Sequence, residues 1–342
     1  MNIRPTKGFK QLITRIKKEL GLEIVDASEI NEGHANRLFR LVTSNKQKLL
    51  AKFYFSGNIG SLDREFAGFK FLNEEGFSSI PKAYLSSVKY QYAVYSFEEG
   101  STMNIKDFTK KGFDIMLNFI IKLQSFEPKD VHTKFTPAYR ACFSVKDYID
   151  KIFFRFDKYL KDKKQADKYL TFIDSLKNLN LKKFIDDTVQ TVTSSYGKKE
   201  LTKPIGKNKK RLNPSDFGAH NILFRPGGSF CFIDFEDFGW DDPVKIIADF
   251  ISHPQNVNLS KEYKDYFKNE YLRRSKLSLK DSKRLDTAIK LIALEWLAYH
   301  MAAITSEWIE RRKFAEVDFN EKSYIKDQLQ KLEFRINQAK QF

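Results

Sequence analysis

This chain is poor in the residues that build linkers, disulfides and phosphate loops. Its 342 residues hold two cysteines, Cys142 and Cys231, far apart and in no metal-ligand spacing. That excludes a disulfide framework and a zinc module, and predicts a reducing compartment, taken as the cytoplasm. No Gly/Ser or Pro linker, repeat or low-complexity tract divides the chain, apart from one basic loop. No apolar run is long enough to cross a bilayer: the longest, 291–304, carries Glu295 and His300. The opening stretch 1–22 lacks a continuous apolar core, so it does not read as a signal peptide. Phe9, Leu12, Ile13, Ile16 and Leu20 instead mark one face of an amphipathic helix that packs on its own domain.

What is present is aromatic and basic. There are 32 Phe and 15 Tyr, and 42% of residues are hydrophobic, so a sizeable core is available. The length allows roughly two domains at ~150 residues each. Net charge is +16 and uneven. Residues 101–215 hold 25 Lys/Arg against 13 Asp/Glu, whereas 216–342 hold 20 of each. Such a bias concentrates anions near one part of the chain without choosing which anion.

The first hundred residues read as β-rich after the opening helix. The runs 37–43 and 48–55, separated by a polar turn, predict a hairpin, and 89–97 predicts another strand. Helical spacing predicts a helix over 63–76, stopped by Gly76. Beyond 105 the periodicity becomes helical, with candidates at 114–126, 145–162, 182–192 and one long run over 286–312. The exception is 222–234, where two apolar runs flank Pro226-Gly227-Gly228 and predict a β-hairpin among helices. Asp242-Pro243 is expected to cap the helix that follows.

That hairpin organises the candidate chemistry. Asn221 precedes its first strand and Asp234 follows its second, so the two are expected side by side. Asp216 lies five positions before Asn221. A divalent cation such as Mg²⁺ takes hard oxygen ligands, here Asn221 and Asp234. Asp216 would accept or orient the proton of an attacking hydroxyl, and the D-x-x-x-x-N spacing is that of a kinase catalytic loop. Two literal Asp-Phe-Gly triplets, at 216–218 and 237–239, are both read as decoys. The metal-binding Asp is expected at Asp234, in Asp-Phe-Glu. His220 is expected to shape the loop and Asp249 to brace it.

These residues resemble the aminoglycoside phosphotransferase and choline kinase-like family, which has the protein-kinase-like fold. SDFGAHNILF is similar to its catalytic loop, and FCFIDFEDFGWDDPVKIIADF to its metal loop and following helix. EGHANRLFRL (32–41) resembles the nucleotide-covering loop, with Gly33 and Asn36. Lys52 falls at the position of the phosphate-binding lysine, and Glu65 at that of its ion-pair partner. AVYSFEEG (93–100) resembles the hinge, whose backbone would meet adenine near Ser96 and Glu98. The match covers about residues 25–255. One departure is Pro214-Ser215, where the family has His-Gly, so another brace is expected, through Asn213 or His220.

The resemblance implies an α+β, bilobal fold. A small β-rich N-lobe (1–97) would precede a larger, mainly α-helical C-lobe (98–342) containing the hairpin and the basic segment 101–215. It implies transfer of the γ-phosphoryl group of ATP, with GTP as an option, to a small-molecule hydroxyl with Mg²⁺. The loop 197–212 carries seven Lys/Arg and one Glu, which favours a neutral or anionic, sugar-like acceptor over a cationic aminoglycoside. The alternative is a catalytically impaired scaffold that binds nucleic acid or another anionic partner. The absence of an RNA-recognition or zinc pattern argues against it. The lack of an Ala-Pro-Glu-type segment after Asp234 argues against a protein kinase.

Overall fold

The computed structural model describes residues 6–31, 35–57, 60–104, 108–132, 134–160, 174, 180–275, 277–300, 305–316 and 318–339. The chain divides into two compact units: one of residues 1–101, 222–236 and 310–319, the other of 102–221, 237–309 and 320–342.

The first unit is built on a five-stranded antiparallel sheet. Its strands are β1 (Ile24–Ile30), β2 (Arg37–Thr43), β3 (Lys48–Phe53), β4 (Ala83–Ser87) and β5 (Tyr92–Ser96), in the order β1-β2-β3-β5-β4. Central β3 pairs with both β2 and β5, placing Lys52 between Leu38 and Ala93. Side chains alternate across a strand, so Leu49, Ala51 and Phe53 share one face and Lys52 takes the other. Helix α1 (Phe9–Leu20) covers the first face, where Leu12 and Ile16 join Phe39, Leu49, Ala51 and Phe53 in the core. The opening helix is therefore a packed element of its own unit, as its apolar stripe predicts.

Helix α2 (Ser61–Glu74) buries Leu62, Glu65, Phe69 and Leu72. Those positions are one helical stripe, and Glu65 is its only acid. The 222–232 hairpin belongs to this unit, with Ile222 opposite Phe232 and Phe224 opposite Phe230. Its turn places Gly227 and Gly228 at φ 92° and 84°, a left-handed region that glycine enters freely.

The second unit is helical. Helices α3 (Lys110–Leu123), α4 (Val145–Leu160), α5 (Leu181–Thr193), α6 (Lys245–Ser252), α7 (Lys261–Ser275) and α8 (Leu279–His300) come in chain order. Helix α8 packs on α4 and α6. Phe113, Phe250 and Phe267 form an aromatic core in which Phe250 and Phe267 lie 4.6 Å apart. Phe217 joins it beside Phe119 and Phe250. Each unit holds one buried free thiol, Cys231 in the first and Cys142 in the second; burial pushes each up to about 12.

Two sequence expectations need correction. The run 286–312 is not one helix: Thr305 is not helical, and a separate helix spans Ser306–Ala315. Asp242 does not cap a helix beginning at 243, because α6 starts at Lys245. Asp242 is instead a buried anchor whose carboxylate accepts the Val244 N–H and both arms of Arg284, at 2.7 and 3.0 Å.

The second Asp-Phe-Gly triplet is structural. Phe238 is buried, and the Asp237 carbonyl accepts the Tyr139 N–H. A Cβ on Gly239 would lie 2.4 Å from the Thr136 carbonyl oxygen and 2.6 Å from the Ala138 nitrogen. Among the described residues, no helix is long and apolar enough to cross a membrane. Gly239→Ala is expected to cost about 1–3 kcal/mol through this backbone overlap. Urea unfolding checks it, and an unchanged midpoint would remove the close-approach argument.

Candidate active site

In the first unit Lys52 is the hub. Its side chain is only 8% exposed, and its Nζ lies 2.8 Å from Glu65 Oε2, 2.7 Å from Asp234 Oδ1 and 2.9 Å from Glu236 Oε1. Burial alone would push the ammonium toward neutrality. Asp234, Glu236 and Glu65 overcome that and hold its pKa well above the usual lysine value. Burial raises Glu65 to about 7 against the pull of Lys52. The other Glu65 oxygen accepts the Phe235 N–H at 3.1 Å, tying the 234–236 loop to α2. Asp234 itself sits at φ 64°, a left-handed conformation rare outside glycine.

Glu236 was not anticipated from the sequence. It binds Lys52, receives the Asn36 amide, and pairs with Arg311 at 3.2 Å. The signal was available: it is an acid two positions after Asp234, on an alternating stretch whose hydrophobic partners are buried. Three carboxylates of this cluster, Glu65, Asp234 and Glu236, bring ligand atoms within 4.8 Å of one another.

Other predicted residues fall as follows. Gly33 lies outside the described residues. Asn36 is 5% exposed and spends its amide on protein, accepting the Phe55 N–H at 3.1 Å and donating to Glu236. The Ser96 amide donates to the Lys82 carbonyl and its hydroxyl accepts the Lys82 N–H. The Glu98 carboxylate binds the Ser96 hydroxyl and Arg225 of the hairpin.

In the second unit the centre is Asp216, with its side chain 32% exposed. His253 Nε2 lies 3.3 Å from its Oδ1 and His220 Nε2 3.7 Å from its Oδ2. His253 Nδ1 accepts the Gln255 N–H, which puts the imidazole proton on Nε2, facing Asp216. Burial keeps His253 below the usual imidazole pKa and therefore neutral. Burial opposes ionisation of Asp216 as well, but His220 and His253 outweigh it and hold the carboxyl well below its usual value. The result is an ionised carboxylate beside two imidazoles. Asn221 donates to the Asp216 carbonyl at 3.1 Å, which leaves its own Oδ1 as an acceptor.

The brace expected from Asn213 or His220 is broader than either. Asn213 Oδ1 accepts the Ser215 N–H at 2.8 Å, and Asp249 Oδ2 accepts the Phe217 N–H at 3.2 Å. Ser215 takes φ 77°, which costs an L-residue about 1–2 kcal/mol. Its hydroxyl accepts from buried Lys245, which also pairs with Asp241 at 2.8 Å. Where the resembling family has glycine, this chain holds a serine in the glycine conformation through a lysine on α6. Gly218 is needed for a different reason: its Cβ would meet His220 Nδ1 and His253 Cε1 at 2.6 Å. His253 and Lys245 are 37 and 29 residues beyond Asp216, with no local spacing to reveal them.

The sequence matches no protein-family model, and no curated protein is significantly similar to it. Solved structures do match. A spectinomycin phosphotransferase in complex with ADP and spectinomycin is 13% identical, with a TM-score of 0.65, covering 99% of this chain and 98% of that one. The choline kinase LicA from Streptococcus pneumoniae is 15% identical, with a TM-score of 0.57, covering 96% and 98%. An ethanolamine kinase from Plasmodium vivax is 17% identical, with a TM-score of 0.59, covering 98% and 90%. This chain thus has the α+β fold of aminoglycoside phosphotransferases and choline and ethanolamine kinases, as its motifs imply.

Asp249 supplies a test of the loop's electrostatics. Burial, reinforced by Asp216, raises its pKa to about 7. A raised carboxyl contributes stability that is full below its unfolded pKa and lost as pH rises through the folded value. Asp249→Asn is therefore expected to gain stability relative to the parent as pH climbs from about 4 to 8. Denaturant unfolding at each pH measures the difference, and a flat difference would sink the assignment.

Proposed function

We propose that this protein is an ATP-dependent phosphotransferase that moves a γ-phosphoryl group to a hydroxyl of a small molecule. The observation that carries it is the buried Lys52 ammonium held by Glu65 and Asp234 at 2.8 and 2.7 Å. A lysine so fixed is a preorganised cation, and in this reading a phosphate oxygen takes the place of one of its three carboxylate partners. Fold likeness to small-molecule kinases supports the reading.

Roles follow from the chemistry of each group. Lys52 binds phosphate oxygens, and Glu65 fixes it. Asp234 is 42% exposed, so one of its oxygens remains available to a cation. Asn221 Oδ1 is the second ligand in this reading. The donor set fits Mg²⁺: all are hard oxygens, and three carboxylates facing Lys52 and Arg311 leave surplus negative charge. When bound, Mg²⁺ would neutralise charge on the nucleotide phosphates. Asp216, ionised and aimed by His253, orients the acceptor hydroxyl and takes its proton. Adenine would meet the hinge near Ser96 and Glu98. The Ser96 N–H is already used by the Lys82 carbonyl, so in this reading base recognition would fall to other backbone groups of the hinge.

The acceptor is read as neutral or anionic, from the basic bias of 101–215. Buried Cys142 and Cys231 fit a cytoplasmic enzyme with no need of disulfides.

Thermal-shift titration with ATP and GTP, with and without Mg²⁺, tests this on the parent protein and two variants. The parent is expected to show a Mg²⁺-dependent rise. Asp234→Ala is expected to lose it, whereas Asp216→Ala keeps nucleotide binding and loses turnover by about 10²-fold or more. Equal nucleotide affinity in the parent and Asp234→Ala would remove the metal assignment. No rise with any nucleotide, together with salt-steep binding of nucleic acid, would favour the scaffold reading instead.

A further inference from the structure

Lys52 has no donor to spare. An ammonium carries three N–H groups, and Glu65, Asp234 and Glu236 lie 2.8, 2.7 and 2.9 Å from its Nζ. A phosphate oxygen reaches this cation only when one carboxylate withdraws. The three differ in what they would keep. Glu65 is buried, and Lys52 is its one cation among the described residues. Its withdrawal would leave an uncompensated buried charge, the most destabilising way to break an ion pair. Asp234 likewise has no second cation among the described residues, and its Oδ1 accepts from Lys52 alone.

Glu236 bridges two cations through separate oxygens. Its Oε1 meets Lys52, and its Oε2 meets Arg311 at 3.2 Å. Oε1 also accepts the Asn36 amide. Once Lys52 leaves, each oxygen keeps a donor and the carboxylate keeps a counter-ion. Arg311, on the Ser306–Ala315 helix, belongs to the same unit as Lys52 and Glu236. Its segment is fastened there: Phe314, three residues on, packs on the Phe55 ring at 5.6 Å and against the core of the sheet. Asn36 is fixed as well, since its Oδ1 accepts the Phe55 N–H at 3.1 Å. Both groups that hold Glu236 apart from Lys52 are thus in place before any ligand arrives.

Resting on the phosphotransferase reading, we propose that Glu236 is the carboxylate that yields Lys52 to a nucleotide phosphate, and that Arg311 is the positioning residue that retains it. In the unliganded protein Glu236 occupies the donor that a phosphate oxygen takes. Nucleotide binding then exchanges one anion for another at Lys52, and no buried carboxylate is left without a cation. The Glu236–Arg311 pair sets nucleotide affinity rather than the rate of transfer.

The test titrates ADP in EDTA into the full chain by calorimetry, because without metal nothing else draws a carboxylate from Lys52. Glu236→Gln is expected to bind ADP at least ~10-fold more tightly than the parent, the scale of one charge-assisted hydrogen bond. Arg311→Gln is expected to bind ~10-fold more weakly, because Glu236 loses its second cation, and Arg311→Lys to recover most of that loss. The double variant separates this exchange from simple attraction between Arg311 and the nucleotide. With Glu236→Gln already present, Arg311→Gln is expected to change affinity less than ~2-fold, whereas simple attraction gives the same loss in both backgrounds. If Glu236→Gln does not fold, Arg311→Gln and Arg311→Lys carry the comparison, and equal affinities in these two and the parent overturn the proposal. Equal or weaker binding by Glu236→Gln, tighter binding by Asp234→Asn alone, or an Arg311→Gln loss that persists in the double variant also overturns it. Failure of the parent to bind ADP when Mg²⁺ is supplied strikes the phosphotransferase reading, and this proposal with it.

Discussion

One lysine placed in the middle of a sheet sets the terms for the first unit. Lys52 occupies the central strand, so neither edge nor solvent relieves its charge. Taking an ammonium out of water costs several kcal/mol unless partners meet it with good geometry. Three carboxylates do so, and they arrive on two separate segments. Glu65 comes from the one polar position in the buried stripe of α2. Asp234 and Glu236 come from the segment after the hairpin, tied to α2 by the Phe235 N–H bond to Glu65 and by the Phe69–Phe235 ring contact at 4.7 Å. The left-handed backbone at Asp234 is strain of the kind that persists where surrounding contacts over-determine it.

The second unit solves a parallel problem with different parts. A carboxylate must stay ionised and aimed while half enclosed. Here a neutral imidazole, a buried lysine and a backbone-binding Asp249 divide the task among α6 and the turn that ends it. Ser215 shows the logic most plainly. Its conformation is unfavourable by about 1–2 kcal/mol, and a charge-assisted bond from Lys245, of a kind worth about 1.5–3 kcal/mol, offsets it.

Local signals in the sequence carried much of this. The strands around 37–43 and 48–53, the Pro-Gly-Gly hairpin and the helix at 61–74 all announce themselves by period and turn chemistry. Lys52 and Glu65 were paired through the family resemblance, which implies a phosphate-binding lysine and its ion-pair partner at those two positions. His253 and Lys245 were missed because their roles depend on contacts between distant segments, which no short window contains. The interruption at Thr305 was missed because no Gly or Pro marks it in the sequence. Asp242 misled for the opposite reason: Asp-Pro is a strong local cap signal, but Arg284, 42 residues away, claims the carboxylate.

The two buried thiols have a use beyond their chemistry. A thiol whose pKa is pushed up to about 12 and whose sulfur is sealed from solvent reacts with alkylating reagents only when its surroundings open. Cys231 lies in one unit and Cys142 in the other. The chain thus carries one natural reporter per unit, and the rate at which each is modified is a clock for the opening of that unit alone.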